Sequence, residues 1–306
     1  MKNAYYPESE AGIYCSGEYT DSLEGLEYAR DNGIILCGRA VLCDNEKNLY
    51  VEFGSFKGII PKEEALYNPS GEPVKDIAVI TRVGKNVCFK IKHIEEDGGV
   101  KIYLSRREAQ KECCDNYVSR LVCGDIIDAS VTHMEPFGVF CDIGCGVISL
   151  LPVDCISVSR IGHPSERFEC GQKIRCVVKN IEYDICRVTL THKELLGTWE
   201  ENAGGFNAGE TACGIVRSVE PYGIFVELTP NLAGLAEYCD GVYEGQTAAV
   251  YIKSIIPQKM KIKLVIIDVT EEMCPKKTNE YFFDGDHMDG WRYSPDGCLK
   301  EIYTVF

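Results

Sequence analysis

Residues 135–140 read EPFGVF, and residues 220–225 read EPYGIF. The two hexapeptides lie 85 positions apart, and each holds Glu, Pro, an aromatic, Gly, an aliphatic and Phe in that order. Pro and Gly beside an aromatic punctuate a chain as a tight turn, and the residues that follow alternate as a strand does. Val139, Cys141 and Ile143 fall on one face, with Phe140 and Asp142 on the other. In the second copy Ile224, Val226 and Leu228 oppose Phe225 and Glu227. A weaker third copy sets Leu49, Val51 and Phe53 against Tyr50 and Glu52. Side chains along a strand alternate faces, so the aliphatic sets belong to a core, and an aromatic and an acid are expected together on the outer face.

The endings repeat as well. KIYLSRRE (101–108), RVTLTHKE (187–194) and KIKLVIID (261–268) are each preceded by a further strand: NVCFKIKHI (86–94), KIRCVVKNI (173–181) and TAAVYIKSI (247–255). Three tandem units of this size, each with about five short strands, suit the OB-fold, a five-stranded Greek-key barrel. The expected fold is therefore mainly β: three tandem OB barrels, short connecting helices and an ordered C-terminal tail. The division is an N-terminal extension (1–33), three repeats (34–111, 119–199 and 205–269, the first degenerate) and a tail (270–306). A short helix is read over 20–33, with Asp21 as its cap and Gly33 as its end. A connector helix is read over 106–119, and LLGTWEENAGGFNAG (195–209) is read as a linker with a helical start.

Composition narrows the function classes. The 306 residues carry a net charge of −15, which argues against a simply basic nucleic-acid binder. The acid is uneven: −5 over residues 1–33 and −4 from residue 270 onward, against +2, −2 and −2 in the three repeats. A near-neutral repeat has room for a local basic stripe. No Walker lysine loop, no G-x-G-x-x-G after a strand and no G-x-S-x-G elbow occurs. His93, His133, His163, His192 and His287 are scattered singly. DGDHMDG (284–290) resembles a calcium loop only until Met288 and Pro295 fall where oxygen ligands are required. No enzymatic activity, metal or cofactor is expected. Seventeen cysteines without one Cys-x-x-Cys pair, several inside strand patterns (Cys43, Cys88, Cys141, Cys176, Cys213), read as reduced structural thiols. The start, MKNAYYPESEAG, has no apolar core, and no stretch approaches the ~20 apolar residues of a membrane span, so a cytoplasmic protein with no membrane partner is expected.

GDIIDASVTHMEPFGVFCDIGCGVISLLPVDCIS (124–157) and GETACGIVRSVEPYGIFVELTPNLAGLAEY (209–238) resemble the RNA-binding repeat named after bacterial small-subunit ribosomal protein S-one. The likeness runs from residue 34 to about 268 and implies a site of two aromatics, a histidine, an acid and a basic residue. By that resemblance the aromatics are Phe137 and Phe140 in the second repeat and Tyr222 and Phe225 in the third. The basic residue is Arg187 or Lys261; the acid falls near Glu182 in the second repeat, and in the third its place falls near Pro257, so it is absent there. Pro152 and Glu237 replace the histidine. Further cations for an RNA backbone are Lys173, Arg175 and Lys179 in the second repeat, and Lys253, Lys259 and Lys263 in the third. Lys259, Lys261 and Lys263 are read as sharing one strand face. The first repeat keeps only Tyr50 and Lys101, and its FKGIIPKEE (56–64) resembles leading repeats that dock on protein.

The resulting expectation is a monomer that binds single-stranded RNA or mRNA through repeats two and three, with ribosome docking through the first. The competing expectation is a protein-interaction scaffold that has lost RNA affinity. Tyr281, Phe282, Phe283, Trp291, Tyr293, Tyr303 and Phe306 make the tail too apolar to stay in water, so it is expected to pack on the third barrel.

Overall fold

The computed structural model describes residues 6–11, 19–96, 99–271 and 280–306. Three closed barrels follow one another. The first is built from β1 (Leu36–Cys43), β2 (Leu49–Phe53), β3 (Phe56–Ile60), β4 (Asn86–Glu95) and β5 (Lys101–Ser105). The second comprises β6 (Ile126–Glu135), β7 (Gly138–Asp142), β8 (Ile148–Pro152), β9 (Lys173–Glu182) and β10 (Arg187–Thr191). The third comprises β11 (Thr211–Glu220), β12 (Gly223–Thr229), β13 (Leu232–Ala236), β14 (Thr247–Ile256) and β15 (Lys261–Thr270). Within each unit the strands neighbour one another in the order first, second, third, fifth, fourth, and the fourth closes on the first. That is the five-stranded barrel expected, three times over.

Alternation builds the cores. Val139, Cys141, Leu151, Val188 and Leu190 are fully buried in the second barrel, and Ile224, Val226, Ile252, Ile262 and Leu264 in the third. Closing five short strands needs bends, and bulges supply them. The first strand of each barrel slips register at Ala40/Leu42, Val131/His133 and Val216/Ser218. The fourth slips beside Ile91/His93, beside Asn180/Val178 and at Ile252/Ser254. Glycine in the repeated motif is a packing requirement. A Cβ on Gly138 would lie 2.6 Å from the Leu151 carbonyl oxygen, and one on Gly223 2.5 Å from that of Ala236, where φ is also +148°.

The connections differ from the sequence reading in detail. Helix α1 (Leu23–Asp31) is capped by Ser22, whose hydroxyl accepts from Gly25 N, rather than by Asp21. A short helix, α2 (Asp76–Ile80), lies before β4. Helix α3 (Arg106–Asn116), capped by Ser105, joins the first two barrels, and α4 (Trp199–Ala203), capped by Thr198, precedes the third.

The outer-face acids of repeats two and three are not exposed as expected. Asp142 and Glu227 are buried, the first under the N-terminal segment and the second against the preceding barrel. Asp142 accepts from Glu10 N (2.6 Å) and Ser9 Oγ (3.0 Å) of the N-terminal segment, and from Gly144 N and Gly146 N of its own turn. Glu10 in turn takes Arg106 in a two-point ion pair at 2.7 and 2.9 Å. Glu227 pairs with Arg167 of the second barrel (2.5 Å) and with Arg217 (2.7 Å), which also bonds Glu166. Glu52, at the same repeat position in the first barrel, has no preceding barrel to hold and stays exposed beside Lys57.

One further expectation is corrected, and one is met and extended. Cys114 and Cys186 form a disulfide across 72 positions, so not every thiol is free. Helix α3 packs on β4 of the first barrel and adds Ala109, Cys113 and Cys114 to the second barrel's core, which brings Cys114 to the turn between β9 and β10. The tail forms β16 (Gly290–Arg292) and β17 (Tyr303–Val305), and Trp291 and Tyr293 are buried in the third barrel's cluster. It also grips the second barrel: Ile126 N donates to Asp286 O, Met288 N to Gly124 O, and Arg175 to the carbonyls of Phe283 and Gly285. One donor and one acceptor at the start of β6, Ile126 N and Gly124 O, are thus paired by the tail.

Candidate nucleic-acid interface

Strand register aligns one outward row around each barrel. In the second barrel the row runs His133–Phe140–Leu150–Thr189–Asn180. In the third it runs Ser218–Phe225–Leu235–Lys263–Ser254, and in the first Leu42–Tyr50–Ile59–Tyr103–His93. None of these side chains is fully buried. The bulges matter here: without the slip in β6, His133 would not stand opposite Phe140.

The rings predicted from sequence come together. Phe137 and Phe140 have centroids 5.9 Å apart at 88°, and Tyr222 and Phe225 6.2 Å apart at 84°. The pairs are edge-to-face rather than side by side, the arrangement that aromatic quadrupoles favour. Phe137 and Tyr222 at the turn are 56% and 70% exposed, so each pair offers an open ring to solvent. His133 adds a third ring in the second barrel, near-parallel to Phe140 at 6.2 Å and bonded to Glu135. In the first barrel His93 stacks on Tyr103 at 4.3 Å and 16°, while Tyr50 is tied to Asp44. Sequence reading missed both histidines. Tyr103 could have been found from its place between the core residues Ile102 and Leu104.

The cations divide. Lys101, Arg187 and Lys261 each begin the fifth strand of their barrel, two residues before the ring row and on its outward side. Arg187 lies 3.7 Å from Glu182 with both side chains exposed. Lys179 and Lys253 occupy the bulge of the fourth strand. Lys253 is exposed, whereas Lys179 lies 3.1 Å from Cys155 Sγ, and that bond raises its pKa above the ordinary lysine value. Arg175 is taken by the tail carbonyls and lies over the Tyr281 ring, so it does not join the face. Lys259 sits in the 3-10 turn Pro257–Lys259, before β15 begins, so only Lys261 and Lys263 share the strand face. Glu237, where the resemblance places a histidine, is exposed. Of the other histidines, His192 is buried, and burial holds its pKa down at about 4. His163 caps a 3-10 turn, and His287 bonds Asp125.

Among the described residues no cluster of three or more His, Cys, Asp or Glu is arranged to hold a metal. No helix among them is long and apolar enough to cross a membrane.

Tandem closed barrels that each carry an outward row of rings and cations define a protein of repeated OB-type modules. Comparison with known proteins then makes the class particular. Residues 123–193, the second barrel, match the family described as the S1 RNA binding domain. A small ribosomal subunit protein bS1 homolog of Bacillus cereus is 29% identical over 224 residues, covering 70% of this chain and 56% of that protein. Small ribosomal subunit protein bS1 of Staphylococcus aureus is 29% identical over 238 residues, covering 74% of this chain and 58% of that protein. Residues 123–193 are thus similar to the S1 RNA binding domain, and about seven tenths of the chain is similar in sequence to bacterial ribosomal protein bS1. It spans a little over half the length of these curated relatives. A solved multidomain protein with nucleic acid binding domains from Streptococcus pneumoniae matches at 14% identity and a TM-score of 0.26, covering 79% of this chain and 75% of that one.

Proposed function

We propose that this protein binds single-stranded RNA, without catalysing a reaction, through its second and third barrels, and that it acts on mRNA in translation at the ribosome. One observation carries the reading: in both barrels an open ring pair and a strand-initial cation, Arg187 or Lys261, lie on one outward face. Rings of this kind stack bases at about 1–3 kcal/mol each. The contact set is Phe137, Phe140 and Arg187 in the second barrel and Tyr222, Phe225, Lys253 and Lys261 in the third. Lys179 is a weaker member because Cys155 engages it. Homology to bS1 supports the translational setting.

The division that goes with this reading is an extension (1–33), three repeats (34–111, 119–199, 205–269) and a tail (270–306). The protein is cytoplasmic and monomeric, and its first barrel, whose turn lacks the ring pair, docks on the ribosome. The scaffold alternative draws on Glu237 beside the third platform and on the Arg187–Glu182 pair, both of which weaken a phosphate site.

The test is fluorescence anisotropy of a labelled single-stranded RNA of ~20 nucleotides, long enough to cross two OB sites. Phe140→Ala/Phe225→Ala removes one ring from each platform. Loss of about 2 kcal/mol, roughly thirtyfold in affinity, supports the reading. Absence of wild-type binding at low salt, with the protein folded, moves the assignment to the scaffold.

A further inference from the structure

A cleft of about 350 Å³ opens between the first and second barrels. That is the low end of the ~300–1,000 Å³ typical of small-ligand sites. Arg39, Arg82 and Lys85 line it from the first barrel, Thr132 and Ile148 from the second, and Glu10 from the segment between. Arg39 and Lys85 are exposed and have no carboxylate partner among the described residues. The acids at the cleft floor are already engaged. Glu10 is held by the buried Arg106 guanidinium and by Cys88 N at 3.0 Å, with Arg82 3.8 Å away. Asp142 accepts three backbone N–H groups and the Ser9 hydroxyl. Counting the lining residues Arg39, Arg82 and Lys85 against Glu10 and Asp142, the cleft carries one positive charge in excess.

Its position matters as much as its charge. Ile148 stands opposite Asp142, and Leu150 opposite Phe140, so the cleft begins one pleat from the second ring platform. Two residues along a strand are about 7 Å. A strand of nucleic acid stacked on Phe140 and running toward Ile148 would bring its backbone to the cleft mouth.

We propose that this cleft is a phosphate seat in which Arg39 and Lys85 bind backbone phosphates of the single strand that crosses the second barrel. The inference rests on the RNA-binding reading above. It adds a contact made by the first barrel, which has no ring pair of its own at the turn.

Salt dependence tests it with the full chain. For single strands, log K falls with log salt by about 0.7 per phosphate neutralised. Arg39→Ala/Lys85→Ala is expected to make that slope shallower by about 1.4. Between 50 and 200 mM salt the wild type then loses about sevenfold more affinity than the variant. Both positions are exposed, and Arg39→Lys/Lys85→Arg, which keeps the charge, is expected to restore the slope. Phe140→Ala/Phe225→Ala is expected to lower affinity with the slope unchanged. A wild-type slope in the cleft variant, alongside affinity loss in the ring variant, overturns the seat and leaves the RNA reading standing. No wild-type binding at low salt overturns both. Adenosine monophosphate that binds alone, and is lost in the cleft variant while RNA affinity and slope are unchanged, reassigns the cleft to a free nucleotide and also overturns the proposal.

Discussion

Replacing Glu227 by Ala removes the acid that ties the third barrel to the second. Arg167 is buried beside it, its Nε already has no partner, and without Glu227 only Ser157 Oγ at 3.4 Å remains. Arg217 keeps Glu166. Breaking a buried ion pair from one side costs about 3–5 kcal/mol, because the surviving charge is left uncompensated. With Arg217 still paired, the low end applies, so about 3 kcal/mol is expected, or about 12–24 °C in the Tm of a barrel of under ~100 residues. Glu52→Ala is the internal control. It removes the acid at the same repeat position, where the side chain is exposed and paired only with Lys57, so a loss of about 0–1 kcal/mol is expected. Trp199 and Trp291, the only tryptophans, both belong to the third barrel's cluster, so their fluorescence reports this junction on heating or in urea. Replacing Arg167, Arg217 and Glu227 together by apolar residues is expected to recover most of the loss. Equal shifts for Glu227→Ala and Glu52→Ala would refute the idea that burial against the preceding barrel gives this acid its role.

Asp142 gives a pH signature. Burial and the nearby Glu10 carboxylate push its pKa up to about 6, whereas in the unfolded chain it titrates near 4. Between these values the folded chain holds a proton that the unfolded chain has lost. Its contribution to stability therefore rises as pH falls from 6 to 4, and above pH 6 the charged form costs about 3 kcal/mol. The Tm difference between wild type and Asp142→Asn is expected to change across that window, and a constant difference would contradict the assignment. For the disulfide, Cys114→Ser/Cys186→Ser opens a loop of 72 positions, worth about 4 kcal/mol in chain entropy. Thermal melting with and without reductant is expected to show the loss in wild type only. A wild type indifferent to reductant removes the disulfide from the stability account.

Much of this fold is written locally. Alternation at Val139, Cys141 and Ile143 and the repeated Pro-aromatic-Gly turn depend on neighbours a few residues away, so the barrels and ring pairs were legible. What was not legible depends on slips and on distant partners. One extra residue at the β6 bulge turns His133 toward Phe140, and nothing in the spacing marks it. The bulge in β9 leaves Lys179 outside the regular register, beside Cys155. Arg175 looks like any outward cation until carbonyls more than a hundred positions away reach it. Asp142 and Glu227 read as surface acids for the same reason, since alternation says which face a residue is on and not what covers that face.

The segment Phe225-Val226-Glu227 puts three duties on three successive residues: a ring on the outer face, proposed here to meet RNA, a methyl pair for the core, and a carboxylate that fastens one barrel to another. Only the first is released from folding, because the ring's face looks away from the core. The ring can therefore be exchanged over generations while its neighbours stay fixed. The register of the strand has no such freedom. A single residue inserted ahead of Phe225 would carry all three to the wrong side at once, whereas β12 runs two residues longer than β7 at its far end, beyond Glu227, without disturbing them.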